Sequence, residues 1–476
     1  MMFLLQLKYE TLRLMRSPAL WLLLVFLATS VGFGLYNGSV RVANKQESIN
    51  EILETQRTNF ETQKLQADSI AQGLKKTGNW WQDPTNVVAV MWWGGKVVAI
   101  DPAPQSLLAS GMSDLKPDAW NLSLTGKEAQ GGSELENPIN LTFGSFDLAF
   151  VIAFLLPLLV IALSFNLISG EREQGTLPLQ QAQPIAFRGL FFQKMLARFV
   201  LLTVLTLLIS MPALAWFGVP LSSSAAWMTA GAAVLYSLFW FLMALGINLR
   251  GGSSAQNALL CIGVWLGFTL VVPALVNMLA QKTHPVPSRA GFQTALREIK
   301  SEVESNREKI LDQYYLQHPN ATRISEDSLD WFDWNQCKNY YRDEYFISSI
   351  EKNQVDSLGQ WYDEKAKLQA NFVDKLALCS PTLSVYQQIT DLAGTSRRAF
   401  DASVVSLDKI QQKWDTWFSE KFDADENLTV DDYKKFMELP EILTNENVSV
   451  QYSGIYLLIL QCLLAGMWVW WIGQRS

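Results

Sequence analysis

The sequence predicts an all-α polytopic membrane protein with about six transmembrane helices and a mainly helical, two-part extracytoplasmic domain. Three observations lead to this fold class. Hydrophobic residues make up 49% of the 476 residues and charged residues only 17%, below the roughly 25% charged residues of an average globular protein. The apolar residues are concentrated in long runs. Two long polar segments separate these runs and are the candidates for the domain outside the membrane.

The apolar runs are near or above the length of about 18 residues that is typical of a membrane-spanning helix. We place spans at residues 18–36, 146–168, 196–217, 225–248, 258–280 and 453–473. Prolines inside these runs bend a helix, and buried asparagines are candidates for hydrogen bonds between helices. The prolines are Pro157, Pro212 and Pro273, and the asparagines are Asn166, Asn248 and Asn277.

Residues 1–17 precede the first span and carry Lys8, Arg13 and Arg16 among apolar residues. This pattern favours an amphipathic helix that lies in the membrane interface, and a simple extension of the first span is the alternative. No convincing small-residue cleavage site follows before Tyr36 and Asn37. We therefore expect the first span to remain as an anchor rather than to be removed as part of a signal peptide.

Basic residues in the short loops predict the orientation, because Lys and Arg close to spans stay in the cytoplasm. The leader, the loop after the second span, Arg250 and Arg475 supply basic residues on one side, whereas the connection 218–224 on the other side has none. Both termini are therefore predicted to be cytoplasmic. Residues 37–145 and 281–452 are predicted to form the two extracytoplasmic segments.

The first extracytoplasmic segment begins with residues 40–76, whose apolar positions recur at helical spacing and predict a long amphipathic helix. Two β-forming runs, Val87 to Trp93 and Lys96 to Ile100, flank Gly94-Gly95 and predict a hairpin. Residues 101–140 are rich in proline, glycine and serine, which predicts an irregular connection.

The second extracytoplasmic segment is helical in pattern. One helix is predicted between Phe292 and Tyr314, and another between Val355 and Leu376. In each range the apolar residues recur at helical spacing and form one face. Ser380-Pro381 and Gly394 predict breaks. Trp414 and Trp417 farther on are interpreted as core residues, with an aromatic substrate platform as the alternative.

The four cysteines fall into two groups. Cys261 and Cys462 lie in predicted spans, whereas Cys337 and Cys379 lie in the second extracytoplasmic segment. If that segment faces an oxidising periplasm, Cys337 and Cys379 form a candidate disulfide. Free thiols at both positions are the alternative.

Residues 169–195 follow the second span and contain the most distinctive motif of the chain. Gly170 and Gly175 allow a sharp turn, charged residues lie at the level of the lipid headgroups, and a short helix is predicted to begin near Leu177 and end near Pro184. An ordinary polar hairpin between two spans is the alternative interpretation. The candidate functional residues of this loop are Glu171, Arg172, Glu173, Gly175, Thr176, Leu177 and Pro184.

This motif resembles the cytoplasmic loop of type-two ABC exporter permeases, in which a span ends in an E-x-E-x-G-T-L element and a short helix contacts the ATPase. Glu171, Glu173, Gly175, Thr176, Leu177 and Pro184 occur here in the order that the family pattern requires. Basic residues follow at Arg188 and Lys194, although Phe187 stands where a small polar residue is more usual.

A second stretch, Ser380 to Ser384 followed by Leu392 to Thr395, resembles an external segment of one branch of these permeases. The large insertion before the last span departs from most members, which have only short re-entrant helices there. Substrate assignments from other members therefore do not transfer to this chain.

The resemblance implies a permease subunit in the inner membrane of a bacterium. Its expected partners are an ABC ATPase subunit, which binds the ATP, a second permease copy or a homologous permease, and the lipid bilayer. The chain itself is expected to need no cofactor. Its formal net charge of −7 argues against nucleic acid as a partner.

The chain contains no phosphate-binding loop of the form G-x-x-x-x-G-K-[ST], because Gly94-Gly95-Lys96 is followed by Val97 and Gly126-Lys127 by Glu128. An enzyme is disfavoured, since the two histidines, His284 and His318, are far apart and no catalytic motif is present. A membrane protein that transmits force or a signal without transport remains the alternative. The sequence discloses neither the substrate nor the direction of movement.

Overall fold

The computed structural model describes residues 2–75, 79–93, 95–123, 126–130, 145–178, 187–319, 323, 329–424, 426–443 and 452–475. Within these residues the protein is almost entirely helical, and six helices are long and apolar enough to cross a membrane. These six candidate spans lie in Pro18–Ala71, Leu148–Glu173, Phe191–Trp216, Ser224–Leu249, Ser254–Thr283 and Ser453–Gln474. The predicted all-α polytopic fold class is confirmed.

All helices, whether or not they are candidate spans, are numbered in chain order. The N-terminal half contains α1 (Met2–Met15), α2 (Pro18–Ala71), α3 (Val87–Trp93), α4 (Leu148–Phe150, Val151–Leu155 and Leu156–Ser164), α5 (Ser169–Glu173), α6 (Phe187–Trp216) and α7 (Ser224–Leu249). The C-terminal half contains α8 (Ser254–Thr283), α9 (Arg289–Ser305), α10 (Arg307–Gln317), α11 (Trp334–Leu376), α12 (Pro381–Ala393), α13 (Arg397–Asp423), α14 (Val430–Glu438) and α15 (Ser453–Arg475).

The leader forms a helix of its own, because α1 ends at Met15 and Pro18 begins α2. Proline at the first position of a helix lacks only an N–H group that would have no intrahelical partner. The alternative in which the leader simply extends the first span is therefore wrong. Its position in the membrane interface stays a prediction.

Helix α2 combines the first span and the predicted extracytoplasmic helix in one uninterrupted element of 54 residues. At 1.5 Å per residue it is about 80 Å long, more than twice the thickness of the hydrocarbon core of a bilayer. It packs against other spans through Leu20, Leu27 and Val31, and against the domain formed by the two long polar segments through Ile49 and Leu53. A single rigid rod thus joins the two regions.

Two of the three intramembrane prolines follow π-helical turns. Val151–Leu155 precedes Pro157 in α4, and Gly267–Val271 precedes Pro273 in α8. A π-turn widens the helix, which accommodates a proline that cannot donate to the carbonyl one turn earlier. Pro212 lies inside the α-helical α6.

The predicted hairpin around Gly94-Gly95 is wrong. Val87–Trp93 is helix α3, and only Lys96–Ile100 is a strand, β1; Gly94 lies outside the described residues. Strand β1 pairs antiparallel with β2 (Ala119–Ser123), β2 pairs antiparallel with β3 (Gly126–Gln130), and β1 pairs parallel with β4 (Ile442–Leu443). The predicted irregular connection thus contains two strands, and the sheet order is β3-β2-β1-β4.

This small sheet is covered on both faces by helices. Because side chains alternate along a strand, Val97 and Ala99 of β1 pack against Ile49 and Leu53 of α2. Val98 points the other way and packs with Leu122, Leu407 and Ile410, the last two from α13. The sheet therefore lies between α2 and α13 and sets the distance between these two helices.

A separate aromatic core lies in the same domain. It includes Phe60 of α2, Trp80, Tyr341 of α11, and Trp414 and Phe418 of α13. Trp414 is only 1% exposed and Trp417 packs against this cluster. The interpretation of both tryptophans as core residues is confirmed.

Helices α9 and α10 ascend from the end of α8, and α11 runs back along them. Ring contacts mark the antiparallel arrangement: the ring-centroid distances are 5.4 Å for His284 with Phe372, 5.0 Å for Phe292 with Tyr362 and 4.5 Å for Tyr314 with Phe346. The single helix predicted from Phe292 to Tyr314 is thus two helices that meet at Asn306.

The predicted disulfide is wrong, and all four cysteines are free thiols. Cys337 lies in the first turn of α11 and Cys379 follows the end of this 43-residue helix. Residues so far apart on one helix are separated by about 60 Å, whereas a disulfide requires Cα atoms within about 7 Å.

Helix α12 packs between the spans, and its N-terminal residues contact the middle of α7 and α8. The hydroxyl of Tyr236 in α7 donates to the Ala153 carbonyl at 2.8 Å. The same oxygen lies 2.9 Å from Thr382 Oγ1 of α12. Gln461 Nε2 of α15 donates to the Leu378 carbonyl at 2.9 Å. The breaks predicted at Ser380-Pro381 and Gly394 are confirmed: Ser380 caps the N-terminus of α12, and Gly394 ends it in the left-handed conformation.

Candidate functional site

The turn after α4 owes its shape to a glycine. Gly175 has φ +69°, its N–H donates to the Arg172 carbonyl at 3.1 Å, and the N–H of Thr176 donates to the Glu171 carbonyl at 3.0 Å. This pair of bonds is the Schellman arrangement that closes a helix C-terminus around a left-handed residue. The Gly and Thr of the motif therefore end α5 abruptly and direct the chain away from it.

The carboxylate of Glu171 is the centre of a compact charged cluster. Its Oε1 accepts from Arg13 Nη1 at 2.7 Å and from Lys194 Nζ at 3.0 Å, and its Oε2 accepts from the hydroxyl of Thr176. The Glu171 side chain is only 7% exposed and that of Lys194 only 10%. We call these four residues the Glu171 cluster; it joins α1, α5 and α6.

A second ion pair ties the leader helix to α6. Arg198 lies 2.9 Å from the carboxylate of Glu10, and both side chains are less than a tenth exposed. Arg198 also donates to the Leu163 carbonyl at the end of α4 and to Asn166 Oδ1 at 3.4 Å. Removal of one partner from a buried ion pair leaves an uncompensated charge, so the two pairs together hold α1 firmly against α6.

The neighbouring charges of the motif contact the start of α8. Glu173 accepts from the backbone N–H of Ser254 at 2.7 Å and from its hydroxyl at 2.8 Å. An acidic side chain at this position is favourable because the N-terminus of a helix carries a partial positive charge. Arg172 donates to the carbonyl of Gly251 in the α7–α8 connection.

Asn248 of α7 makes hydrogen bonds that hold the segment between α4 and α5 in place. Asn248 of α7 donates to the Ser164 carbonyl at 3.1 Å, accepts from the Ile168 N–H at 3.2 Å and accepts from Asn257 of α8 at 3.2 Å. Asn248 and Asn166 thus make the interhelical bonds predicted from the sequence. Asn277 is exposed on α8.

The structure brings most of the predicted site residues together. Glu171 is buried, Leu177 packs partly buried against the membrane core, and the side chains of Arg172 and Glu173 are exposed while they bond to the α7–α8 connection and to α8. Pro184 lies outside the described residues, so the short helix predicted to end there is not described. The exposed surface of the turn consists of residues 172–175 and Pro178.

Sequence reasoning missed the partners of the motif. From the sequence alone, Glu10 and Arg13 belong to an amphipathic leader, and Lys194 and Arg198 are basic residues that indicate the orientation of the spans. Their ion pairs with Glu171 and with each other appear only in the structure: Arg13 and Lys194 bind Glu171, and Arg198 binds Glu10. A signal for their pairing does exist: Lys194 and Arg198 lie four residues apart on one face of an apolar helix, where unpaired charges are costly to bury.

A comparison with protein-family models matches residues 7–417 to the ABC-2 family transporter protein. The matched region contains α1 from residue 7 onward, the turn with the Glu171 cluster and five of the six candidate spans. A search of curated proteins found no match to the chain. Since the family model covers most of the 476 residues, the chain belongs to the ABC-2 transporter family and is a multi-pass ABC permease.

Proposed function

We propose that this chain is the permease subunit of an ATP-driven exporter and that a separate ATPase subunit drives it through the turn after α4. Family membership implies an ABC ATPase partner. The observation that carries the proposal is the Glu171 cluster, which joins the motif to α1 and α6. An ATPase that pushes on the exposed surface of this turn moves three helices together rather than one flexible loop.

The transmission follows from the bonds around the turn. Displacement of α5 pulls α1 and α6 through Glu171, and pushes the start of α8 through Glu173 and Arg172. Because α8 continues across the predicted membrane to the extracytoplasmic helices, motion at its first residue reaches the far side. Glu171 acts as a positioning residue, whereas the exposed residues 172–175 offer the contact surface.

The proposed setting is the inner membrane of a bacterium, with both termini in the cytoplasm. Arg13, Arg172, Lys194 and Arg198 are brought to one end of the bundle by the contacts above. Basic residues collected at one end of the spans mark the cytoplasmic side. The sheet domain and α9–α11 then lie outside the cytoplasm.

A functional unit of this kind requires a second permease, either a copy of this chain or a homologue. Apolar side chains such as Leu259 and Leu270 of α8 and Leu463 and Trp470 of α15 are exposed. In a membrane such faces contact lipid or another permease. The mass of the purified complex, measured in a membrane mimetic, distinguishes one permease from two.

The test replaces the two carboxylates of the turn. In the double variant Glu171→Gln, Glu173→Gln we expect the chain to insert normally, while co-purification of the ATPase and its stimulation by the permease fall several-fold. The physical reason is that Arg13, Lys194 and the start of α8 lose their common anchor. Both quantities are measured on tagged protein isolated from membranes.

Glu61→Gln is the matched control, since Glu61 is an exposed carboxylate on the extracytoplasmic part of α2. The single variants then separate the two roles: Glu171→Gln disturbs α1 and α6, and Glu173→Gln disturbs α8. Normal stimulation of the ATPase by the double variant would remove the role proposed for the turn.

The second candidate is a protein that transmits force or a signal to the extracytoplasmic side without transport. The continuous helix α2 favours it, because a rod of 54 residues connects the bundle with the sheet domain. The two candidates differ in one observable. A pair of permeases that encloses a central cavity supports transport, and a pair without such a cavity supports force transmission.

A further inference from the structure

A cavity with a volume of about 60 Å³ lies where α2 leaves the membrane region. It is bounded by α2, the end of β1, the segment before β2 and the turn between α12 and α13. On this scale one water occupies about 10 to 15 Å³. The cavity therefore has room for about four waters, or for one small polar group of similar size.

Positive charge dominates the walls of this cavity. Arg41, Lys45 and Lys116 line it, and Asp101 is the only carboxylate among the described lining residues. Ser396, which caps the N-terminus of the 27-residue α13, lies in the wall as well. The N-terminus of a helix adds a partial positive charge to the three cations.

The three cations differ in how they are compensated. Arg41 lies 3.7 Å from Asp114 and Lys45 lies 3.2 Å from Asp118. Lys116 has no carboxylate within 4.0 Å among the described residues, and its Nζ lies 4.0 Å from the centroid of the Phe400 ring. Burial lowers the pKa of Lys116, with Asp401 and Asp363 acting against this shift and Arg397 and Arg289 adding to it.

The walls are held in place by hydrogen bonds to backbone carbonyls. Met112 N–H donates to the Thr395 carbonyl at 2.8 Å, Ser106 Oγ donates to the Ala393 carbonyl at 3.1 Å, and Arg41 Nη2 donates to the Ser106 carbonyl at 2.7 Å. Gly111, with φ +51°, approaches Thr395 so closely that a Cβ would lie 2.5 Å from its carbonyl oxygen. The cavity is thus preformed, which lowers the entropy cost of binding.

The cavity lies at the outer boundary of the spans. Asn37 of α2 donates to the Phe146 carbonyl just before α4 at 3.1 Å, so the first two spans end at the same level. Arg41 is four residues, or about 6 Å, beyond Asn37. Apolar side chains complete the walls: Val42, Ile100, Pro102, Met112, Pro117 and Phe400.

We propose that this cavity binds a phosphate group at the extracytoplasmic surface of the membrane, with Lys116 as its main contact. A phosphate fits the volume, satisfies an ammonium that lacks a carboxylate, and is favoured by the helix N-terminus beside it. The apolar walls and the level of the cavity suit a lipid headgroup, and a free phosphate shares the same chemistry. Asp101, which also lines the cavity, can accept a hydrogen bond from a P–OH group of the ligand.

The test measures binding of short-chain phosphatidic acid, the matching diacylglycerol and inorganic phosphate to the full chain in neutral detergent, by native mass spectrometry and thermal stabilisation. We expect phosphatidic acid to bind and Lys116→Gln to weaken this binding about tenfold, the effect of losing one charged hydrogen bond. Lys116→Arg should retain binding. Lys413→Gln is the control, since Lys413 is exposed on α13.

Binding of phosphatidic acid without inorganic phosphate identifies the ligand as a lipid, and equal binding of both identifies a free phosphate; either result supports the site. Lys45→Gln provides a second variant should Lys116→Gln fold poorly; a smaller loss is expected, because Lys45 already pairs with Asp118. Equal binding of phosphatidic acid and diacylglycerol overturns the proposal. Unchanged binding by both lysine variants overturns it as well.

Discussion

Gly175 illustrates how one residue determines the shape of the turn after α4. No atom of the described residues lies within 4 Å of a Cβ built at this position, so an added methyl group meets no steric obstacle among them. Only the left-handed backbone conformation opposes a side chain here. That conformation costs an L-residue about 1 to 2 kcal/mol, and asparagine tolerates it better than alanine.

We therefore expect Gly175→Ala to loosen the turn by about 1 to 2 kcal/mol and Gly175→Asn to have a smaller effect. Hydrogen exchange of the backbone N–H groups of Gly175 and of residue 176 reports the two bonds that close α5. Faster exchange in the alanine variant than in the asparagine variant is the expected order. Equal exchange in both variants and the wild type would show that the turn does not depend on glycine.

At the residue scale the sequence predicted the motif but not what its charges do. The order of Glu171, Glu173 and Gly175 is visible in the string, whereas the bond from Arg13 to Glu171 joins residues 158 positions apart. Pairing over such a distance depends on how α1 folds back against α6, and no local pattern encodes that. The sequence therefore predicted the position of the site but not the burial of Glu171 or its ion pairs.

At the scale of elements, helices α7 and α15 approach each other closely at a glycine. A Cβ added to Gly246 would lie 2.1 Å from one atom of the Trp468 ring and 2.7 and 2.8 Å from two others. Small residues permit such close contacts between membrane helices. The position of α15 against α7 therefore depends on the absence of a side chain at residue 246.

We predict that Gly246→Ala lowers the thermal stability of the purified chain in detergent, because the Trp468 side chain or the helix must shift, a strain of about 1 to 3 kcal/mol. Gly231→Ala is the matched control in the same helix, since nothing lies within 4 Å of its added Cβ. Alanine favours a helix over glycine by up to about 1 kcal/mol, so the control should be neutral or stabilising. Equal melting temperatures for both variants would contradict the packing described.

Elements that form local patterns were predictable, and those that depend on distant partners were not. The apolar runs predicted all six candidate spans, and the 3.6-residue period predicted the C-terminal half of α11 and the part of α2 that follows the first span. The sheet was missed because β1 pairs on one side with β2 across an irregular stretch and on the other with β4, more than 300 residues later. Val87 to Trp93 has β-forming composition, yet tertiary packing of Val88 and Val90 in the aromatic core overrides that preference.

At the scale of the whole molecule, α2 and α12 are two of the connections between the bundle and the sheet domain. Helix α2 is a continuous rod between them, and α12 lies among α4, α7 and α15 while its C-terminal turn bonds to the segment before β2. A displacement of the spans therefore reaches the sheet domain through both helices. The proposed phosphate site lies where these two connections meet, between Arg41 of α2 and Thr395 after α12.

The orientation of the whole chain can be tested with introduced cysteines. Of the four native cysteines, all within the described residues, Cys379 is exposed and the other three are buried. Cys379 lies at the depth of the spans, because the neighbouring Ser380 donates to the Phe268 carbonyl in the middle of α8, and it is therefore replaced by alanine. If the sheet domain and α9–α11 face away from the cytoplasm, a membrane-impermeant maleimide added to intact spheroplasts labels Glu61→Cys, at an exposed position of α2, in this background. Cys337, which is fully buried in the aromatic core, reacts only after unfolding.

A second variant completes this experiment. Gln174→Cys in the same background, at the exposed turn after α4, should be labelled only after permeabilisation. The proposed orientation would place the Glu171 cluster on the side where ATP is available, as coupling to an ATPase requires. Labelling of residue 174 in intact cells, with residue 61 protected, would reverse the orientation and remove the physical basis of that coupling.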